Sequence, residues 1–560
     1  MTSSDSHPFC PKPPRFVREA TGLVRELSHL DLFVQAVSIG QIGTTIVILL
    51  ETVGGFTPGA NLYAVIAISG VVALAFALLW SIMAAALPRS GGDYVWISRI
   101  IPKVPAFGFM YAASYGIAFM MSFVMGFQVW LFTNGILSPT FASLGLIYNN
   151  AAFTSLGNWM VAGTGLLITG LILIAIAAIT VSLGIRNGSN VINFLFFYSV
   201  IVTIIWIVVG FTTSQQAFQQ AFDSQFGSGQ YANVLTLGKQ AGFSGFTSDF
   251  LTTLSVGFSL GYFNLYANFQ MPVWACGEIK QAGAVWKPYV LAVVAMGVGF
   301  AVLIAALFNV FGTDWVGAVS AAAQNSATAG SLPFAPIAPT FTLFLSILFK
   351  DNPLLVFLFH TGLIAATATW FIVPWIAFSR LIFSMSFDRV LPKSFSDLTG
   401  EKLRVPVKAL ALIVVLVIIW FSQYVYGLLW NPNLLAFIDL FVTYVPVSAA
   451  AWTIAGLVFA FFPWLNKDLY ERTMPTQFRK KIGLPIVTWL GLFVAITQAW
   501  ATLAYVTPVA GPPSAPFPIL ADAAIVLTLG GSFMLYYVVA AIRKHQGIDL
   551  QLVFNEIPPE

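Results

Sequence analysis

The stretch Asn264-Leu265-Tyr266-Ala267-Asn268-Phe269-Gln270-Met271-Pro272 lies inside an otherwise apolar run over residues 250–275. A run of that length crosses the roughly 30 Å hydrocarbon layer of a bilayer, where polar side chains are costly unless they are partnered. Pro272 removes one backbone donor and strains the preceding turn, while Asn264, Asn268 and Gln270 carry amides able to bond the carbonyls and N–H groups that a break releases. The pattern predicts a helix interrupted at mid-depth. A matching interruption occurs in the first apolar run, 32–53, as Ser38-Ile39-Gly40-Gln41-Ile42-Gly43-Thr44-Thr45, with small, hydroxyl and amide residues where leucines would be expected.

Counted outward from these two, the apolar runs number twelve, near 32–53, 62–87, 105–137, 157–183, 190–213, 250–275, 287–312, 353–386, 406–430, 434–462, 484–506 and 519–542. The first and sixth are five apart and enter from opposite sides, the spacing of two five-helix halves related by an inverted repeat. Discontinuous helices at matching positions of such halves mark a transporter's binding site. Half-helix amide ends favour a carboxylate and half-helix carbonyl ends favour ammonium or Na⁺, so a zwitterion suits both. The plainer alternative is that the small residues of the first run serve close helix packing and that Pro272 makes a kink without a ligand.

Composition fixes the class. Of 560 residues 58% are apolar and 8% charged, against about 45–50% and about 25% in soluble domains. Too few charges remain to cover a water-soluble globule, which excludes a soluble enzyme. The net charge of +4 lies in short loops, not in a tract that could follow phosphates, so nucleic acid is not an expected partner. With only Cys10 and Cys276, no cysteine-based metal cluster is expected.

With the N-terminus placed inside, 22 Lys and Arg fall on the cytoplasmic face and only Lys239 and Lys350 outside. That bias puts both termini in the cytoplasm of a multi-pass cell-membrane protein. Residues 1–30 read as a cytoplasmic tail and not as a cleaved signal, because no small-residue cleavage site follows them. The expected organisation is a first five-helix repeat over 31–213, an external loop at 214–249, a second, inverted repeat over 250–462, a cytoplasmic loop at 463–483, two further helices over 484–542 and a tail from 543 to 560. A second external connection, 313–352, holds the apolar run Phe341–Phe349, too short to span and read as a lid-like surface or re-entrant helix.

Three motifs carry a family resemblance. Leu87-Pro88-Arg89-Ser90-Gly91-Gly92-Asp93-Tyr94-Val95-Trp96-Ile97-Ser98-Arg99 is similar to the loop after helix 2 in amino acid–polyamine–organocation (APC) superfamily permeases. Ser379-Arg380-Leu381 through Asp388-Arg389-Val390-Leu391-Pro392, followed by Val405-Pro406, resembles that family's signature from helix 8 to helix 9, and Gly277-Glu278-Ile279-Lys280 with Lys287-Pro288 resembles the stretch closing helix 6. The resemblance implies an all-α membrane fold of twelve helices, a 5+5 inverted-repeat core with helices 1 and 6 broken, and helices 11 and 12 peripheral. It implies a substrate carboxylate held by amides around Gly43, Thr44 and Thr45, an ammonium held by carbonyls near Gln41, Asn264 and Ala267, and Tyr266 or Phe263 closing over the substrate. It also implies alternating access by rocking of helices 1, 2, 6 and 7 against 3, 4, 8 and 9. Two departures bear on coupling. Where many members carry Gly-Phe-Glu in helix 6 this chain has Asn268-Phe269-Gln270, and where some hold a lysine in helix 5 it has Ser199, so neither group carries a proton here.

Other intramembrane polar groups are few. Asp439 is a candidate for the pathway or for coupling, against a carboxylate at the water boundary. Thr367 and Thr369 are candidate Na⁺ ligands, against back-bonding within their helix. His360 reads as a hydrogen-bonded core histidine, and Arg380 and Arg389 with Asp388 as fixing an inner gate. The histidines are scattered, with no His-Glu-x-x-His pair and no serine elbow, so catalysis is not expected. The expectation is a secondary transporter for an amino acid or related small amine, with no cofactor and with Na⁺ or H⁺ as coupling ion. The alternatives are a non-transporting amino-acid sensor on the same fold, or a carrier of a nucleobase or polyamine.

Overall fold

The computed structural model describes residues 22–40, 42–43, 60–246, 249–400, 403–431, 440–506 and 518–555. Among them, strand is confined to a two-residue antiparallel pair, Lys481–Ile482 with Leu484–Pro485. Nine helices of the described residues are long and apolar enough to cross a membrane: Leu62–Ala86, Ala106–Ile147, Gly163–Ser182, Ile185–Thr212, Ala282–Phe311, Pro353–Phe387, Val407–Leu429, Ile486–Ala504 and Asp522–His545. Their outer faces are apolar too. Ile168, Ile172, Ile176 and Ile179 form an exposed stripe at helical spacing, and Phe194, Phe197, Ile201, Ile204 and Val208 form another. Helices greasy on both faces need lipid as solvent. This is a multi-pass membrane protein.

The three remaining expected runs differ for separate reasons. The first is described as helix His29–Gly40, with 44–59 outside the described residues, and the tenth as Leu440–Ala460, preceded by 432–439, which are likewise outside them. The sixth is broken into Phe250–Phe258, Leu260–Leu265 and a 3-10 segment, Met271–Glu278. Two boundaries also move. The third run continues as one 42-residue helix, Ala106–Ile147, with π-type turns over Ala112–Val124 and Phe132–Leu137. The fourth starts earlier, as Ala151–Val161, and breaks where Gly163 takes φ +44° before Gly163–Ser182; glycine tolerates that left-handed backbone.

Hydrogen bonds gather the connections at two ends. At the basic end, residues 27–31, 89–99, 186, 278–280, 380–390, 466 and 543 bond one another. At the other end the two long connections are not open loops. They contain helices Gln215–Phe226, Gln230–Gln240, Thr313–Gln324 and the buried Phe341–Leu348. Phe218, Phe222, Phe311, Trp315 and Phe344 interlock there with ring centroids 4.6–6.5 Å apart. Tyr231 stacks on Trp315 at 5.6 Å and donates to the Phe311 carbonyl.

Candidate functional site

The sixth segment breaks by a traceable sequence of backbone bonds. The amides of Tyr266 and Ala267 both turn back to the Tyr262 carbonyl at 2.9 Å. From there each turn reaches only three residues back, Phe269 to Tyr266, Met271 to Asn268 and Val273 to Gln270. The Leu265 carbonyl thereby loses its α-helical donor, and Asn268 takes φ +70°. Asparagine visits this region more readily than other residues with a side chain, and its amide is held in place when Tyr115 Oη donates to Oδ1 at 2.6 Å. Pro272, at the start of the 3-10 segment, needs no donor there.

Gly40 of helix His29–Gly40 meets this break. A methyl group on Gly40 would lie 3.1 Å from the Leu265 carbonyl oxygen and 2.1 Å from Met296 Sδ, so glycine allows the approach without displacing Met296. The buried polar atoms without hydrogen-bond partners include Asn264 Nδ2, Tyr266 Oη and Gln270 Oε1 of the broken segment and Ser38 Oγ of helix His29–Gly40. Such orphans are costly and uncommon in a folded interior.

The sequence candidates distribute as follows. Asn264, Ala267, Asn268 and Gln270 are brought together at the break. Phe263 stacks on Trp452 at 5.2 Å. Tyr266 turns between Gly70 and Gly297, edge-on to Phe300. Gly43 is pressed against Trp206, where an added methyl would sit 2.9 Å from the indole; it is a packing glycine whatever its amide binds. Gln41, Thr44, Thr45 and Asp439 lie outside the described residues. Thr367 and Thr369 donate to the carbonyls of Leu363 and Ala366. His360 Nε2 pairs with Ser346 of the short helix Phe341–Leu348 at 3.1 Å.

Sequence reading missed an aromatic box. Phe76, Tyr262, Phe263, Tyr115 and Trp452 come from four segments distant in the chain, and the first four all pack on Trp452 with ring centroids 5.2–5.8 Å from it. Each is an ordinary apolar residue of its own span, so no local signal sets it apart.

Toward the basic end the site is underlaid by buried ion pairs. Arg380 Nε and Nη2 donate to the two Glu278 oxygens at 2.6 and 2.9 Å, joining helix Pro353–Phe387 to the end of the 3-10 segment. The Glu278 carbonyl accepts from the amides of Glu26 and Leu27, so the segment before the first helix is bolted to the same point. Arg99 grips Asp388 through both oxygens at 2.7 and 2.8 Å, and Tyr94 Oη adds a third bond. The partner of Asp388 is thus Arg99, across the molecule, and not its neighbour Arg389.

Among the described residues no three His, Cys, Asp or Glu side chains group as a metal site. Comparison with curated proteins finds no match. The family model for amino acid permeases matches residues 27–530, from the bolted segment before the first helix into the last long one, Asp522–His545. The chain belongs to the amino acid permease family, as its three APC-like motifs imply.

Proposed function

We propose that this permease is a secondary active transporter that carries an amino acid or a related small amine by alternating access, with the substrate at the break of the sixth segment. The observation that carries the reading is the close approach of Gly40 to the Leu265 carbonyl, in a broken segment that also holds the unpartnered Asn264 Nδ2 and Gln270 Oε1. A substrate ammonium takes carbonyl oxygens around Leu265, and its carboxylate takes amides around Gly43, Thr44 and Thr45. The aromatic box of Phe263, Tyr262 and Trp452 favours a neutral or apolar side chain over a charged one.

On this reading the core is a 5+5 inverted repeat within twelve spans, both termini are cytoplasmic, and the bolted basic end is the inner gate, closed by Arg380–Glu278 and Arg99–Asp388. Opening inward requires those pairs to part as the 3-10 segment swings. The coupling ion is Na⁺, with Thr367 and Thr369 as candidate ligands, or H⁺.

The test is counterflow in proteoliposomes with radiolabelled neutral amino acids. Wild type exchanges label. Asn264→Leu removes an unpartnered buried amide, so stability holds or rises by about 1 kcal/mol while counterflow falls at least about tenfold. Binding of amino acids without counterflow by the wild type identifies a sensor and overturns the transport reading. Undiminished counterflow by Asn264→Leu overturns the site.

A further inference from the structure

Just below the break lies a carboxylate that the substrate site does not use. Asp93 opens the short helix Asp93–Ile100 and is fully buried. Its Oδ2 accepts from Tyr111 Oη at 2.6 Å and from Trp274 Nε1 at 3.2 Å, while Oδ1 has no partner. The two buried cations of this end are committed elsewhere, Arg99 to Asp388 and Arg380 to Glu278. A buried carboxylate with neutral donors only and one empty oxygen is poorly served in its charged form.

Its neighbours connect it to the moving parts. Trp274 belongs to the 3-10 half of the broken segment, and its carbonyl accepts from the Gly91 amide, so Asp93 and its loop hold that half directly. Tyr111 packs against Tyr115, one turn on, at 5.1 Å, and Tyr115 donates to Asn268 at the left-handed residue of the break. The route therefore runs Asp93, Tyr111, Tyr115, Asn268.

We propose that Asp93 is the proton-binding site of this permease, and that gain or loss of its proton is felt at the break through Trp274 and through the Tyr111–Tyr115–Asn268 chain. The proposal rests on the transporter reading for its role in coupling, not for proton binding itself. The groups facing Asp93 are Tyr111 and Tyr115 from helix Ala106–Ile147, and Trp80 from helix Leu62–Ala86, which lies near but outside hydrogen-bond geometry. Trp274 faces it from the 3-10 segment, whose Glu278 is paired with Arg380, and Tyr289 from helix Trp286–Phe311. Tyr94 and Arg99 of its own helix turn to Asp388. Burial pushes the Asp93 carboxyl up to about 6, against the pull of the Tyr111 and Trp274 donors, which places its titration within the physiological range. The proton passes between water and a carboxylate oxygen; no other bond changes.

The experiment uses full-length protein in lipid nanodiscs. Infrared difference spectra between about pH 4.5 and about pH 8 follow the carbonyl stretch of a protonated carboxylic acid, in a window bracketing the expected value. Wild type shows a band with a midpoint near pH 6. Asp93→Asn, a neutral isostere, lacks that band, and Tyr111→Phe, which removes a donor to the charged form, moves its midpoint to higher pH. A band that survives Asp93→Asn, no band in wild type, or a midpoint unmoved in Tyr111→Phe overturns the proposal. In proteoliposomes, wild-type counterflow of neutral amino acids titrates over the same pH window while Asp93→Asn gives a flat profile; a titrating Asp93→Asn profile also overturns it. Wild-type protein that shows the band and its loss in Asp93→Asn but no counterflow sinks the transport reading and leaves the proton site standing.

Discussion

Arg380 and Glu278 show how much rests on single side chains. Both are about 2% exposed and neither can reach water, so the pair is held by its own two-pronged geometry. Removing one partner leaves a buried charge alone and costs roughly 3–5 kcal/mol, whereas replacing both by apolar residues costs much less. Arg380→Met is therefore expected to lower the thermal midpoint in detergent sharply, and Arg380→Met with Glu278→Met to recover most of it, read by intrinsic fluorescence. A double variant less stable than the single one, by the sum of the two separate losses, would mean that the residues act independently. The pairing was not legible in the sequence. Glu278 and Arg380 are 102 positions apart, and Arg99 and Asp388 are 289 apart. Adjacent Asp388-Arg389 suggests a local pair, while the fold gives the carboxylate to Arg99.

At the scale of elements, the broken sixth segment was legible because lipid makes each polar residue in a span conspicuous: Asn264, Asn268, Gln270 and Pro272 stand out in an apolar run. What the sequence did not reveal is which residue makes the break. The turn is made at Asn268, with φ +70° and its side chain fixed by Tyr115, and the helical ladder has already ended at Tyr262 before Pro272 is reached. Pro272→Ala should accordingly keep most of the counterflow, within about threefold, because nothing upstream depends on the missing donor. Asn268→Ala loses the Tyr115 bond and puts an unfavourable residue at positive φ, at about 1–2 kcal/mol, and should lose counterflow at least about tenfold. The reverse order of effects would place the break at the proline. The helices Gln215–Phe226 and Gln230–Gln240 escaped sequence reading because their composition is polar. Only the tertiary cover of Phe218, Phe222 and Tyr231 by Trp315 and Phe344 makes them part of the fold.

For the whole molecule, stability should depend on pH through two carboxylates at the basic end that shift in opposite directions. For Asp93, burial raises the folded value to about 6, so its contribution is fully present below the unfolded value near 4 and is lost as pH rises through 6. Asp31 is the opposite case. Burial pushes it up, but hydrogen bonds from Ser28 and Asn193 and the Arg186 charge outweigh that and hold it below the ordinary carboxylate value. Its contribution is present above about pH 4 and is lost only as pH falls through its own lowered value. The windows therefore do not overlap: the loss between about pH 4 and about pH 6 belongs to Asp93, and the loss below about pH 4 to Asp31. Thermal midpoints of the full chain in detergent are expected to fall from about pH 4.5 to about pH 6.5, with Asp93→Asn flattening that limb and leaving the acid limb, and Asp31→Asn doing the converse. Midpoints that rise across the upper window in wild type would mean that Asp93 gains a charged partner and that burial is not what sets its proton.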